Sequence, residues 1–227
     1  MIVIIGGGNI NTSFAKEFID RLDKSSLSIM ACDSGYENCL AIGLEPDIVI
    51  GDFDSISREA YEKLQHSNAA VIKLNPVKDD TDIEAAVNIA IHKTSFGEFI
   101  YILGGTGKRL DHFLGNVSLM GLGLQKDRKV VIVDEYNYIQ MIAARETLEI
   151  ERDGVDGQFG NYISVFPYGG KAVGVTMTGF KYPLEDATLE GFNTLTVSNE
   201  IVEEVGTITL KEGYLIVCES RDACPID

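Results

Sequence analysis

Short apolar runs, each closed by glycine or acid, set the rhythm of the first half of this chain. Ile2 to Ile5 runs into Gly6-Gly7-Gly8, and Leu27 to Cys32 runs into Asp33-Ser34-Gly35. Ile48-Val49-Ile50 ends in Gly51-Asp52-Phe53-Asp54-Ser55. Ala70 to Leu74, Glu98 to Leu103 and Lys129 to Asp134 continue the series. Continuous apolar runs of this length suit parallel strands covered on both faces. Between them the spacing turns helical. Thr12 or Ser13 is placed to cap a helix with Phe14, Phe18, Ile19 and Leu22 on one face. Further helices are expected over 36–42, stopped by Gly43, over 57–65, and from Thr81, where Glu84 completes capping-box spacing. Another follows Arg109, with Phe113, Val117, Met120 and Leu124 on its buried side. Strand and helix alternate, which predicts an α/β domain with an open parallel, Rossmann-like sheet over residues 1–143, including a crossover strand at 138–143.

From Thr147 the pattern changes. Thr147-Leu148-Glu149-Ile150-Glu151 alternates, and short β-rich runs follow at 162–166, 172–177, 194–197, 207–210 and 214–218. Turn residues separate them, as at Pro167-Tyr168-Gly169-Gly170 and Glu212-Gly213. Residues 144–227 are therefore expected to form a small antiparallel β-sandwich or barrel.

The 227 residues carry 35 acidic and 19 basic side chains, a formal charge of −16. A surface this acidic argues against nucleic acid or an anionic membrane as partner. No apolar segment approaches the ~18 residues of a membrane span. The four cysteines, Cys32, Cys39, Cys218 and Cys224, form no C-x-x-C pair. Free thiols in a cytoplasmic protein are the expectation, with Cys218 in a strand core. His66 and His92 read as surface positions, and His112 as a polar residue at a helix start.

Ligands of open α/β sheets bind outside the carboxyl ends of the strands, so the residues there carry the candidate chemistry. Gly6-Gly7-Gly8 is not a dinucleotide fingerprint, because Asn11 occupies the third glycine position. Asp52 and Asp54 stand two apart. If the chain stays extended, both carboxylates face one space, and a hard cation relieves their repulsion. A polar loop, with Asp54 or Ser55 capping the next helix, is the competing reading; an Asx-turn or cap would likewise account for Asp33 alone. A further acidic cluster, Asp79-Asp80-Thr81-Asp82, sits beside Lys78 before a helix. Acids there complement a helix dipole, which explains some of them but not the lysine. Gly104-Gly105-Thr106-Gly107-Lys108-Arg109 is not a Walker A loop, since Ile102 stands where glycine is required and Arg109 where Ser or Thr would be. Its glycines, lysine and arginine still make an anion cradle. Acids at strand ends with one basic glycine loop point to a metal–polyphosphate site, leaving kinase, phosphatase or nucleotide sensor open.

Cys32-Asp33-Ser34-Gly35, Gly51-Asp52-Phe53-Asp54-Ser55, Lys78-Asp79-Asp80-Thr81-Asp82 and Gly104 to His112 occur here in that order, followed by Gly179-Phe180-Lys181-Tyr182-Pro183-Leu184 and Val197-Ser198-Asn199-Glu200. Together they resemble the thiamine pyrophosphokinase family. The resemblance implies a catalytic α/β domain, a β-sandwich thiamine-binding domain, and a homodimer with the site at the subunit interface. It implies transfer of pyrophosphate from ATP to the thiamine hydroxyl, giving thiamine diphosphate and AMP. Asp52, Asp54 and Asp82 would hold Mg²⁺ and, with Arg109, be catalytic. Asp33, Lys78, Asp79, Gly104, Gly105, Thr106, Gly107, Lys108, Arg109 and Asp111 would surround the ATP phosphates, Asp111 by orienting Arg109 or the substrate. Ser198 and Asn199 of the partner subunit would hold thiamine. Two departures stand out: Lys108 replaces a residue that is often small, and the chain has no tryptophan to stack on thiamine. A pyrophosphokinase for another small alcohol, such as a pterin, and a non-catalytic nucleotide or thiamine-diphosphate sensor are the alternatives.

Overall fold

A computed structural model describes residues 1–75, 80–107, 109–152, 157–191 and 193–223. The chain divides into two compact units, Met1–Glu135 and Tyr136–Asp227.

In the first unit the strands are β1 (Ile2–Ile5), β2 (Ser28–Cys32), β3 (Ile48–Gly51), β4 (Ala70–Lys73), β5 (Phe99–Leu103) and β6 (Lys129–Val133). All neighbours pair in parallel, in the order β4-β3-β2-β1-β5-β6. The apolar runs are the interior: every residue of β1 and β3 is buried, and only the edge strand β4 is largely exposed. From β1 the chain winds outward to β2, β3 and β4, then returns to β5 on β1's other side. This reversal opens a crevice at the carboxyl ends of β1 and β5.

Helices α1 (Thr12–Arg21), α2 (Gly35–Ile42), α3 (Arg58–Gln65), α4 (Asp82–Lys93) and α5 (Leu110–Leu124) connect the strands. Their ends follow local chemistry. The Ser57 hydroxyl accepts from the Ala60 N–H at 3.3 Å, and Thr81 accepts from Glu84 at 3.1 Å. Gly43 ends α2 with φ of 79°, the left-handed conformation that glycine adopts without a Cβ penalty. The cap of α1 is Asn11, not Thr12 or Ser13; its side chain accepts from the Phe14 N–H at 3.1 Å. On α5, Val117 and Met120 are buried as expected, and Asn116 joins them.

The second unit is antiparallel throughout: β7 (Asn137–Ala143), β8 (Thr147–Glu151), β9 (Tyr162–Thr178), β10 (Leu184–Leu189), β11 (Val205–Thr209) and β12 (Glu212–Ser220). The residues expected as a crossover strand of the first domain instead pair along β12, from Asn137 with Ser220 to Ala143 with Tyr214. They therefore lie in the second unit.

Three strand expectations need correction. The runs at 162–166 and 172–177 are one strand, because Gly169, Gly170 and Gly174 take positive φ and bend the chain without ending it. The first part of β9 pairs with β12, and its end pairs with β10 and β11. A strand that changes partners at a bend makes the corner between two packed sheets. β10 carried no alternation strong enough to announce it. Residues 194–197 form a turn, in which the Val197 N–H donates to Thr194 O at 3.2 Å and the Leu195 N–H to the Asn193 side chain at 3.1 Å. The core of this unit gathers Ile163, Val165, Met177, Ile208, Leu215 and Val217.

Candidate active site

The strand ends of the first unit are crowded, and the crowding places the acids. Asp33 follows β2 with φ of 48°, and its N–H donates to Ile50 O at 2.8 Å. Gly51 makes room for this, since a Cβ there would lie 3.1 Å from Asp33 Cα and Cβ. Asp52 and Asp54 are joined differently from the expectation of an extended chain. Phe53 has φ of 66°, and the Asp54 N–H donates to the Asp52 carboxylate at 3.1 Å. A tight side-chain turn, rather than strand alternation, brings the two carboxylates together.

Asp33, Asp52 and Asp54 each offer an oxygen within 4.8 Å of the others. Asp52's charge, followed by desolvation and the charges of Asp33 and Asp82, pushes the Asp54 carboxyl above its ordinary range. Asp33 is only 9% exposed. One of its oxygens accepts from the Ser55 hydroxyl, and the other, Oδ1, is buried without a hydrogen-bond partner. An orphaned buried carboxylate oxygen beside two further carboxylates offers donors that would suit a hard divalent cation. Asp82 opens α4 behind the Thr81 cap, and its carbonyl accepts from the Cys32 thiol at 3.6 Å. Its charge reaches Asp54, but among the described residues the close trio contains Asp33 where the sequence placed Asp82.

Beside the trio lies a cleft of about 430 Å³, lined by Asp33, Asp82, Gly104, Gly105, Gly107 and Arg109 among others. Thr106 is half-buried in the same loop. Arg109 forks onto Asp111 at 3.2 and 2.6 Å, both side chains being largely exposed. That pairing holds the Asp111 carboxyl down to about 2. The pair is an exposed ion pair at the start of α5. His112 lines the cleft, while His66 and His92 are exposed. Lys78, Asp79 and Lys108 lie outside the described residues.

In the second unit Ser198 has φ of 56°, and its N–H donates to the Ser164 hydroxyl at 2.9 Å. Asn199 is 4% exposed. Its amide is committed to backbone, accepting from Tyr182 at 3.0 Å and Glu200 at 2.9 Å and donating to Tyr182 O at 2.8 Å. It holds neighbouring chain segments together. Cys218, expected in a strand core, is only partly buried on β12, and desolvation still pushes its thiol up to about 11.

Sequence reasoning missed Gly7, Gly8, Asn9 and Asn116, which also line the cleft. The glycine triplet was visible, but only as a failed dinucleotide motif. Its use here is steric: a Cβ on Gly8 would sit 2.3 Å from Gly104 O. Among the described residues no helix is long and apolar enough to cross a membrane.

Comparison with known proteins places both parts of the chain in one family. Residues 19–132 match the family model for the thiamin pyrophosphokinase catalytic domain, and residues 146–215 match that for the thiamin pyrophosphokinase vitamin B1 binding domain. Thiamine pyrophosphokinase of Bacillus subtilis is 34% identical over 97% of this chain and 99% of its own. The crystal structure of the Bacillus subtilis enzyme superposes with a TM-score of 0.86 at 32% identity, covering 98% of this chain and 99% of that one. The thiamin pyrophosphokinase structure from Geobacillus thermodenitrificans gives 0.83 at 32% identity over the whole of both chains. With acids and a glycine cleft at the switch point of one unit, and both family models matched in order, the chain belongs to the thiamine pyrophosphokinase family.

Proposed function

We propose that this transferase moves the pyrophosphoryl group of ATP onto the hydroxyethyl oxygen of thiamine, releasing AMP. The observation that carries the reading is the trio Asp33, Asp52 and Asp54 beside the glycine-lined cleft with Arg109. ATP lies in the cleft with its phosphates along Gly104–Gly107, against backbone N–H groups and the Arg109 guanidinium. Asp52 and Asp54, with Asp33 and Asp82 close by, hold Mg²⁺. When bound, this ion neutralises phosphate charge and lines up the reacting groups. The thiamine oxygen forms a bond to the β-phosphorus. The bond from that phosphorus to the α,β-bridging oxygen breaks, and the oxygen leaves on AMP. Arg109 stabilises the charge that develops there. A loose transition state places little demand on a base, and Asp82 or Asp79 takes the alcohol's proton.

The second unit binds thiamine in this reading, with Ser198 presenting polar groups and Asn199 holding the loop in shape. Acidic surroundings attract the cationic vitamin. The working form is a cytoplasmic homodimer in which the partner supplies the thiamine contacts. Incubation with ATP, Mg²⁺ and thiamine, followed by mass analysis, is expected to yield AMP and thiamine diphosphate in equal amounts. ADP with thiamine monophosphate, or AMP formed only with a pterin alcohol, would overturn the assignment.

A further inference from the structure

Two asparagines outside the expected site act on its backbone. The segments 6–8 and 104–107, at the ends of β1 and β5, are pressed together main chain to main chain. A Cβ on Gly104 would lie 2.7 Å from Gly6 O, and one on Gly107 would lie 3.0 Å from Gly8 Cα. The Gly6 N–H donates to Leu103 O at 2.8 Å. The result is one double wall of the cleft built of peptide groups. Peptide carbonyls facing a polyphosphate would repel it, so such a wall serves an anion only if its carbonyls turn elsewhere.

Asn38 on α2 and Asn116 on α5 hold three of those carbonyls. Asn38 Nδ2 donates to Gly6 O at 2.7 Å and to Gly8 O at 3.0 Å, using both of its hydrogens. Asn116, 4% exposed, donates to Gly105 O at 2.8 Å. In a trans peptide the N–H of the next residue points opposite to the carbonyl. Fixing these three oxygens therefore fixes the N–H groups of Gly7, Asn9 and Thr106 in the reverse direction. Among the described residues those three N–H groups have no protein acceptor, and Gly7 and Asn9 line the cleft.

We infer that Asn38 and Asn116 are positioning residues for nucleotide binding, turning the peptides of both glycine segments so that the N–H groups of Gly7, Asn9 and Thr106 face the phosphates of ATP. The inference extends the glycine cradle to the N-terminal triplet, and it rests on the nucleotide reading of the cleft. Aspartate is the informative replacement at either position, because it keeps the shape, loses the donor and sets a charge against the carbonyls.

The test compares wild type with Asn38→Asp and Asn116→Asp by calorimetric titration with Mg²⁺–ATP, and by steady-state assays varying ATP and thiamine in turn. Each variant is expected to bind ATP about tenfold more weakly, with the ATP KM rising equally and the thiamine KM unchanged, as fits the loss of a bond that orders donors to a charged ligand. Asn38→Ala adds no charge and is expected to lose about threefold, which keeps the test decisive if an aspartate variant fails to fold. Unchanged ATP affinity in a folded Asn38 variant overturns the inference. Equal weakening toward ATP and thiamine does so too, because it marks a general structural role. Absence of AMP from wild type would overturn the functional reading instead, and the ATP titrations would still decide the role of the asparagines.

Discussion

The two units of this chain use β-structure for opposite ends. In the first, strands are short and parallel, buried on both faces except at the edge strand β4, and the chemistry sits in the turns just beyond them. β5 and β6 each bury four consecutive residues. In the second, strands are antiparallel, and β12 alternates buried Leu215 and Val217 with partly exposed Ile216 and Cys218. There the strands themselves present a surface, and one of them, β9, pairs with three others. A parallel sheet concentrates its function at one edge, where helix starts, glycine turns and carboxylates converge. An antiparallel sheet spreads its surface along the strands.

That contrast can be broken in several places, the largest effect first. Asp54→Asn should lower turnover by roughly a thousandfold or more, since the metal's carboxylates act mainly in the transition state. The variant's melting temperature should equal or exceed that of wild type, because the substitution removes repulsion from Asp52. A near-normal rate would remove the cation site from the first unit. Core truncations test the two kinds of strand. Ile102→Ala and Leu103→Ala, adjacent in β5 and both fully buried, should each cost about 2–5 kcal/mol in chemical denaturation. In β12 the same pair of tests should split, with Leu215→Ala at about 2–5 kcal/mol and Ile216→Ala near half that. Equal costs at 215 and 216 would erase the distinction.

The second unit also holds a carboxyl that works against it at neutral pH. Glu219 is 5% exposed and accepts from the Phe159 N–H at 2.8 Å. Burial pushes its carboxyl up to about 6, above the usual 4.5. The folded state therefore keeps this proton where the unfolded chain releases it. The resulting stability is present below about pH 4.5 and is lost as pH rises through about 6, on the order of 2 kcal/mol in all. Glu219→Gln should be more stable than wild type at pH 7 by up to that amount and indistinguishable from it at pH 4. An identical pH profile for both proteins would contradict the assignment. The smallest effect belongs to the first unit's helix surfaces. Pairs such as Lys63 with Glu59 at 2.8 Å are exposed, so Glu59→Ala should shift stability by no more than about 0.5 kcal/mol, and less in high salt.

Legibility followed the same division. The strands and helices of the first unit were readable because an apolar run, a cap and a stop glycine all act within a few residues. Thr81 with Glu84 and Gly43 are examples. The acids were readable as acids at strand ends. In the second unit the glycines of β9 looked like turns, and a glycine's freedom does not reveal whether the chain folds back or only bends. Residues 194–197 alternated like a strand, but the Asn193 side chain and the Thr194 carbonyl close a local turn first.

By itself, then, the sequence determined which segments of the first unit form strands and helices, and that carboxylates and glycines stand at the ends of strands. Only the tertiary structure decided who stands next to whom. Sheet order puts β1 beside β5, so a glycine triplet that matches no motif becomes half of the cleft wall. A buried turn after β2 brings Asp33, rather than Asp82, into the trio with Asp52 and Asp54. Burial and capping are short-range and leave a mark on each stretch of chain. Strand adjacency depends on contacts between residues about a hundred positions apart, such as Ile5 with Leu103, and no single stretch records it.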